Sequence, residues 1–465
     1  MYSEFLELCG FEPDEIKRED SRVRKAFEIL DIGSEDVSQA AERVTTFFDI
    51  ELMGIRKALG IWLKELIDMV LAKEEGKKIV YASFPPTYQM VAAMTSASSD
   101  IYCVIPEVIL GVTMNCIFTK ATSILEAAEK HGLAPGLAFC SYLQMRLGAI
   151  AKGIIPVPDL IVPSCLMCDQ SPKVDELLHE VYGVPVAYAD HLFGSGGSEW
   201  PDDISPQRVQ YLATEIRNAM EEFGNLFNHE VTESEFQQAT EKEAALFNAS
   251  LGLWELMKAN PLPLRINDLN MVTEIPAACS GRALREGANA LNLLCKELAK
   301  RVEDGVGVLE KGAPRIMAAM VPYDPSILSI FDELGLAISV TSQVPSPARE
   351  TTISYNSVWE QVADLILRRR GALYSGLAYL SQARDLAKLN NVDGVILFHH
   401  IGCRQYNTWL LKAKAVIEKD LDIPVLIFEG DYCDTRDYNA KQSRTKLETF
   451  AQIVKTAKVS RKDNK

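Results

Sequence analysis

The sequence predicts an α/β protein with two doubly wound parallel-sheet domains that face a cleft. Short apolar runs of strand length alternate with helical stretches and end at turn residues, which is typical of buried parallel strands. This alternation occurs twice along the 465 residues, with a helical segment between the two occurrences. A chain of this length also exceeds one ordinary hydrophobic core, so more than one domain is expected.

The alternation divides the chain into four segments. Residues 1–75 are dominated by good helix formers and predict a helical N-terminal extension. Residues 76–205 form the first predicted α/β domain, residues 206–305 a helical connecting segment, and residues 306–465 the second α/β domain. Two similar halves of this kind leave a cleft between the facing ends of their strands, which is a common position for ligands.

The predicted strands are apolar runs closed by proline, glycine, serine or charged residues. In the first α/β domain these runs are 79–84, 101–105, 137–139, 160–162 and 184–188. In the second domain they are 315–320, 336–340, 392–400 and 424–428. The stretches between them have the composition and length of helices, so each domain is expected to carry a parallel sheet.

Composition limits the function classes. The formal net charge of −16 argues against a nucleic-acid-binding protein, which needs clustered Lys and Arg. The most apolar early segment, residues 47–72, carries charged residues such as Arg56 and Lys64, so an amphipathic helix is expected there and not a membrane span. The first ten residues contain Glu4 and Glu7 and lack the basic start of a secretion signal. We therefore expect a cytoplasmic protein that acts away from membranes and nucleic acids.

The ten cysteines fall into two groups. Thiols in an intracellular protein stay reduced, so these residues are either buried apolar side chains or metal ligands. Five lie within apolar or helical stretches and are expected in the core: Cys9, Cys103, Cys116, Cys279 and Cys295. The other five follow apolar runs and stand beside turn or polar residues: Cys140, Cys165, Cys168, Cys403 and Cys433.

The stretch 392–404 is the most informative part of the sequence. It is an apolar strand that ends at His399 and His400, followed by Gly402 and Cys403. In open α/β sheets, ligands bind beyond the carboxyl ends of the strands. Because strand side chains alternate, one of the two histidines should point to the cleft.

Thiols follow strands in both predicted domains. Cys140, and the pair Cys165 and Cys168, come after strands of the first domain, as Cys403 does in the second. Soft thiolate ligands select iron–sulfur clusters or zinc. Cys165 and Cys168 form a C-x-x-C without the second such motif that a zinc ribbon needs, and two packed core cysteines are the plainer alternative.

Several of these motifs resemble the 2-hydroxyacyl-CoA dehydratase and benzoyl-CoA reductase superfamily. The most specific likeness is C-terminal, in the runs 399–405, 423–431, 437–442 and 444–450. Residues 139–141 with 146–148, and residues 162–164 with Cys168, Asp169 and Lys173, resemble its earlier cysteine motifs. The likeness extends over residues 76–455 in the same order.

The resemblance implies an iron–sulfur cluster, most simply [4Fe–4S], held in the cleft by three cysteines. Carried onto this sequence, the ligands are Cys140, Cys168 and Cys403, with Cys165 as a rival to Cys168. Some relatives instead hold a double-cubane cluster with six thiols. Cys433 would add to the thiols available for it, but the lysine-rich run of those relatives is missing here.

The resemblance also implies partners and a reaction. Members work with a related second subunit, in a heterodimer, a homodimer or a larger assembly, and receive single electrons from a separate ATP-dependent activator iron–sulfur protein. This chain has no G-x-x-x-x-G-K-[ST] phosphate loop, in keeping with ATP hydrolysis on another protein. In dehydratase members, which are lyases, one-electron reduction of an acyl-CoA gives a ketyl radical that eliminates water.

Six further residues are candidates for roles in such a site. His399, His400 and Glu107 could act in proton transfer, although burial of the histidines or helix capping by Glu107 would be the plainer interpretation. Arg146, Lys173 and Arg404 are candidates for contacts with the CoA phosphates, with a solvated surface role as the default for each.

The leading prediction is a dehydratase-type lyase subunit. The alternatives are a benzoyl-CoA reductase-type oxidoreductase, a double-cubane reductase, a companion subunit that only relays electrons, and a solute-binding α/β protein without metal. A fourth thiol from Cys165 would close the cluster to substrate and favour relay, whereas three thiols leave one iron open.

Overall fold

A computed structural model describes residues 2–84, 87–133, 139–163, 168–190, 205–278, 281–342, 354–370, 376–436 and 438–463. The N-terminal part is helical, as predicted. It contains α1 (Tyr2–Leu8), α2 (Pro13–Ile29), α3 (Ser34–Phe47) and α4 (Met53–Leu71). Helix α4 is buried on most of its surface, because α2 covers it on one side and a later helix, α14 (Gly281–Glu303), on another.

The first sheet has three parallel strands. These are β1 (Lys78–Ala82), β2 (Ile101–Val104) and β3 (Leu160–Val162), in the order β2-β1-β3. The helical elements between and after them are α5 (Tyr88–Ala97), α6 (Pro106–Leu110), a π-helix (Gly111–Ile117), α7 (Ala121–Lys130), α8 (Ser141–Ala151) and α9 (Ser171–Tyr182). The strands are buried on both faces, which explains their continuous apolar runs.

Two predicted strands of the first domain differ from the structure. The run 184–188 forms only an isolated parallel bridge between Val186 and Ile161. Because Pro185 has no N–H, the pairing is limited to two bonds at 2.9 Å: the Pro185 carbonyl accepts the Ile161 N–H, and the Ala187 N–H donates to the Ile161 carbonyl. Of the run 137–139, only Phe139 is described, and it leads into α8 without strand geometry.

Helices dominate the middle of the chain, as predicted. They are α10 (Pro206–Phe227), α11 (Glu233–Leu256), α12 (Ile266–Thr273), α13 (Ile275–Ala278) and α14. Helix α11 begins with a capping box between Thr232 and Glu235. Because α14 packs on α4 and α11 packs on α5, this segment is joined to the preceding parts through its core contacts.

The second sheet has four parallel strands. They are β4 (Arg315–Ala319), β5 (Ala337–Thr341), β6 (Gly394–His400) and β7 (Val425–Gly430), in the order β5-β4-β6-β7. The helices here are α15 (Pro325–Glu333), α16 (Val358–Arg370), α17 (Gly376–Leu389), α18 (Arg404–Asn407), α19 (Leu410–Leu421) and α20 (Ala440–Asp463).

The α/β class is therefore confirmed, with two parallel sheets. The division into four domains and the doubly wound arrangement around a cleft stay predictions. Both sheets place their first strand inside and their second at the edge. In this order the connections reverse direction beside the first strand, which is where α/β proteins bind ligands. Among the described residues, no helix has the length and apolar character needed to cross a membrane.

Candidate functional site

Cys140, Cys168 and Cys403 each lie at the start of a helix. Cys140 immediately precedes α8, Cys403 immediately precedes α18, and Cys168 lies three residues before α9 begins at Ser171. The backbone N–H of Ser171 donates to the Cys168 Sγ at 3.4 Å. The free N–H groups of a helix start favour negative charge, so these positions suit thiolates.

The three thiols lie close enough to affect one another's ionisation. Burial raises the pKa of Cys140 well above its ordinary value, and negative charge on Asp431, Cys403 and Cys168 raises it further. Burial likewise raises the pKa of Cys403 to about 12, with a contribution from Cys168. Three partly buried thiols of this kind stay protonated unless a positively charged group compensates their charge.

Gly402 allows the two halves of the chain to meet at backbone distance. A Cβ atom on this residue would lie 2.5 Å from the Cys140 Cα, the Cys140 N and the Phe139 carbonyl carbon. No side chain fits in that space. The loop that carries Cys403 therefore lies directly against the start of the helix that carries Cys140.

Two polar side chains add further links between the halves. The buried Gln170 accepts a hydrogen bond from the Cys140 N–H at 3.0 Å and donates one to the Gly402 carbonyl at 2.8 Å. The Ser141 hydroxyl donates to the Asp431 carboxylate and accepts from the Cys433 N–H at 3.1 Å. The segments that carry the three thiols are thus joined through direct contacts.

The described residues do not form a compact site for a single metal ion. In the described parts of the chain, no three His, Cys, Asp or Glu side chains are grouped so that they could hold one metal ion. A cluster distributes its ligands over several irons, so its thiolates need not converge on one point. The three thiols, which stand before helices and of which two are joined by a tight backbone contact, are the donors that such a cluster would use.

Arg146 and Glu107 lie in a fully buried ionic network. The Arg146 guanidinium donates to the Ser83 hydroxyl at 2.6 Å and pairs with the Asp175 carboxylate and, at 3.4 Å, with the Glu107 carboxylate. Glu107 also accepts the Phe84 N–H at 2.8 Å. Neither residue is exposed, so the expected surface position of Arg146 is wrong. Its burial also disfavours the predicted contact with CoA phosphates. Glu107 does not cap α6, whose N-cap is Ile105.

The two histidines lie in different environments, as strand alternation predicts. His400 is 1% exposed, stacks on Tyr432 at 3.8 Å, and its Nε2 donates to the Met320 carbonyl at 2.5 Å. Burial lowers the pKa of His400 to about 4, so its ring is neutral. His399 is partly exposed. The interpretation of a buried strand-end residue therefore fits His400. His399 is the better candidate for proton transfer.

Lys173 and Arg404 lie together on the surface beside the thiols. The Arg404 guanidinium is 2.7 Å from the Asp169 carboxylate, and the Lys173 amine is 3.7 Å from the same oxygen. Both cationic side chains are about half exposed. Two cations that come from different segments and converge beside Cys168 and Cys403 suit an anionic ligand, and their CoA role stays a prediction.

Of the other two candidate thiols, only Cys433 can be placed relative to this site. Cys165 lies outside the described residues. Cys433 is fully buried, and its Sγ lies against Gly111 in a region that also contains the Tyr142 ring. This position gives no support to the double-cubane alternative.

Sequence reasoning missed Gln170, Ser141, Ser83 and Asp175. Gln170 and Ser141 stand two residues and one residue after candidate ligands, and this proximity was the only available signal. Their partners lie 232 and 290 residues away in the sequence, so the pairing itself could not be predicted.

The fold and site thus define an α/β protein with three thiols brought together from both of its sheets. A family model described as 2-hydroxyglutaryl-CoA dehydratase, D-component, matches residues 101–454. The chain belongs to this family, and the superfamily resemblance of its motifs is confirmed.

Three curated relatives have similar sequences. The (R)-2-hydroxyglutaryl-CoA dehydratase subunit alpha of Acidaminococcus fermentans is 23% identical over 303 residues, which span 64% of this chain and 61% of the relative. The (R)-phenyllactyl-CoA dehydratase alpha subunit of Clostridium sporogenes is 20% identical over 71% of this chain and 80% of its own length. The (R)-2-hydroxyisocaproyl-CoA dehydratase alpha subunit of Clostridioides difficile is 20% identical over 72% and 81%.

Proposed function

We propose that this chain is the iron–sulfur subunit of a 2-hydroxyacyl-CoA dehydratase-type enzyme, with Cys140, Cys168 and Cys403 as the ligands of one [4Fe–4S] cluster. The observation that carries the proposal is the meeting of these three thiols, each at a helix start, in a chain of this family. Thiols drawn from segments so far apart have no evident common purpose in a core.

The residues around the thiols suggest a division of roles. When bound, the cluster supplies a low-potential electron to the substrate thioester, which makes loss of hydroxide and of an otherwise non-acidic proton feasible. His399, partly exposed at the end of β6, is our candidate for proton transfer. Arg404 and Lys173 would bind CoA phosphates. Their ion pairs with Asp169 would be weakened in the process.

The comparisons favour a dehydratase over a reductase. All three relatives carry names of 2-hydroxyacyl-CoA dehydratases, although the match spans only about three fifths of the first. They are also named as alpha subunits, which supports a second subunit as partner. An ATP-dependent activator as electron donor rests on the superfamily resemblance.

Iron and sulfide counts after anaerobic purification test the cluster. The wild-type protein should be coloured and contain both, and Cys140→Ala, Cys168→Ala and Cys403→Ala should each lose most of the iron. Cys295→Ala is the matched control, because Cys295 is also a partly buried free thiol but lies on α14. Wild-type protein without iron, or full iron in all three variants, would overturn the proposal.

Turnover of CoA esters tests the reaction. The protein, its partner subunit and a reduced activator should convert a 2-hydroxyacyl-CoA to the enoyl-CoA, measured by anaerobic chromatography of the products. Reduction of an aromatic acyl-CoA instead would establish the reductase alternative. A protein that takes up electrons but converts neither class would be a relay subunit.

A further inference from the structure

We propose that Gln170 is the positioning residue that holds the segments of all three cluster ligands in register. This inference rests on the proposed function, because it concerns how the thiols are held for the cluster. It adds a role for a residue that supplies no ligand itself.

The side chain of Gln170 spans the junction between the halves of the chain. Its Oε1 accepts the Cys140 N–H at 3.0 Å, and its Nε2 donates to the Gly402 carbonyl at 2.8 Å. Cys140 is itself a candidate ligand, and Gly402 immediately precedes another, Cys403. One amide group therefore fixes the distance between two ligand backbones that lie far apart in the sequence.

The backbone of Gln170 belongs to the third ligand segment. Gln170 is the N-cap of α9, two residues after Cys168. The backbone N–H of the next residue, Ser171, donates to the Cys168 Sγ at 3.4 Å. Gln170 thus belongs to the Cys168 segment through its main chain and contacts the other two ligand segments through its side chain.

A primary amide suits this position for a chemical reason. The Cys140 N–H needs an acceptor, because the first N–H groups of a helix have no partner within the helix. The Gly402 carbonyl accepts the Arg404 N–H at 3.2 Å and has a second lone pair for the Gln170 amide, whose donor and acceptor lie on separate atoms of one uncharged group. Gln170 is 3% exposed, so water is a poor substitute for either bond.

The geometry also explains why the reach of the side chain matters. Gly402 and Cys140 are already in backbone contact, and Gln170 joins them from the side of Cys168. An Asn at this position has the same amide on a side chain one methylene shorter, and it cannot reach both partners from the same backbone. The substitution Gln170→Asn therefore separates the reach of the side chain from its polarity.

The experiment compares loss of iron from the wild-type protein, Gln170→Met and Gln170→Asn. Each anaerobically loaded protein is mixed with an iron chelator, and the loss of cluster absorbance is followed with time. Both variants should release iron about 10- to 100-fold faster, as expected for the loss of two buried hydrogen bonds. The electron paramagnetic resonance signal of the reduced cluster should also change, because the thiolate arrangement around the irons is altered.

Gln144→Met is the matched control. Gln144 is also 3% exposed and also donates through Nε2 to a backbone carbonyl, that of Leu133 at 2.8 Å, but it joins no ligand segments. The melting temperatures of the metal-free proteins separate a positioning role from a general effect on folding. Gln170→Met and Gln144→Met should melt at similar temperatures, with iron release accelerated only in the former.

Each outcome decides a different point. Wild-type protein without iron would overturn the proposed function and this inference together. Iron-loaded wild type with equal iron release from Gln170→Met and Gln144→Met would overturn this inference alone. Wild-type behaviour of Gln170→Asn would likewise contradict the spanning role, and Gln170→Asn also provides the test if Gln170→Met does not fold.

Discussion

In both sheets a candidate ligand follows the third strand: Cys168 comes after β3 and Cys403 after β6. The strand orders match as well, since β2-β1-β3 corresponds to β5-β4-β6, and the Val186 bridge lies where β7 lies in the second sheet. The shared topology therefore brings one thiol from each sheet to the site. The residues behind the two thiols, however, differ in chemistry.

The first sheet places charged groups behind its thiol. Arg146 lies between the carboxylates of Asp175 and Glu107, and all three side chains are fully buried. Ser83, which follows β1, completes the network through hydrogen bonds to Arg146 and Asp175, each 2.6 Å long. This side of the site depends on paired charges.

In the second sheet, the strand before the thiol ends in a neutral aromatic stack, and a carboxylate, Asp431, follows the neighbouring strand β7. His400 stacks on Tyr432 and donates to the carbonyl of Met320, the residue that follows β4. Met320 has a left-handed backbone with φ of 58°, and its N–H donates to the Ser342 hydroxyl at 3.0 Å. The two sheets therefore share the topology that positions the thiols. The side chains that pack behind the two thiols are unrelated.

The largest effect is expected from removing the central charge of the first sheet. Arg146→Met leaves two carboxylates buried without their cation and should lower the free energy of unfolding by about 3–5 kcal/mol. Urea unfolding of the metal-free protein measures this change. Arg444→Met is the control, because Arg444 forms exposed ion pairs with Glu333 and Glu448 and should change little. Equal stability of the two variants would contradict the structural role of the network.

His400 in the second sheet and Asp175 beside the first should make opposite contributions to the pH dependence of stability. Burial lowers the pKa of His400 from 6.5 to about 4, so the unfolded chain binds this proton first and stability falls as the pH drops from about 6.5 to 4. Burial raises the pKa of Asp175 from 3.8 to about 6, so the folded chain holds this proton longer and stability falls as the pH rises from about 4 to 6.

Substitutions separate these opposing contributions. Phenylalanine keeps an aromatic ring at this position. His400→Phe should therefore abolish the loss of stability between about pH 6.5 and 4, which amounts to about 3 kcal/mol at most. Asp175→Asn should instead abolish the loss of stability that occurs as the pH rises from about 4 to 6. Urea unfolding of the metal-free proteins at several pH values between 4 and 7 measures both. If both variants changed the slope in the same direction, the assignment of these two groups would be wrong.

The smallest effect on stability is expected from a substitution at Gly402, where the two halves of the chain meet. The effect on iron binding should nevertheless be clear. Gly402→Ala introduces a Cβ 2.5 Å from the Cys140 backbone and should cost about 1–3 kcal/mol. Iron content after anaerobic loading should fall, because the two ligand segments are forced apart. Gly430→Ala is the control, since its Cβ would meet only Phe398 at 3.9 Å. Unchanged iron in Gly402→Ala would show that the close backbone contact is not needed.

The sequence was sufficient to predict the class of fold and the thiols. Apolar runs closed by turn residues predicted all seven described strands, β1 to β7, and burial on both faces of every strand but β7 explains the strong local signal. The run 184–188 was over-predicted as a full strand, because the pairing it needs is limited by Pro185. Local pattern alone does not reveal how many partners a strand finds.

The surroundings of the thiols were harder to predict. Arg146 was expected at the surface as an arginine on a helix, but two buried carboxylates from other elements offset the cost of burying it. Gln170 and Ser141 bond to residues more than two hundred positions away. Such contacts depend on how the sheets are placed, and neither composition nor periodicity contains that information.

Alkylation of thiols with and without iron tests the central claim most directly. The iron-loaded and chelator-stripped proteins are treated anaerobically with iodoacetamide, and labelled cysteines are identified by mass spectrometry. Cys140, Cys168 and Cys403 should be protected together in the loaded protein and should all become labelled after iron is removed, slowly because burial keeps these thiols protonated, while Cys295 is labelled equally in both. Labelling of any of the three in fully loaded protein would contradict a cluster shared by the two sheets.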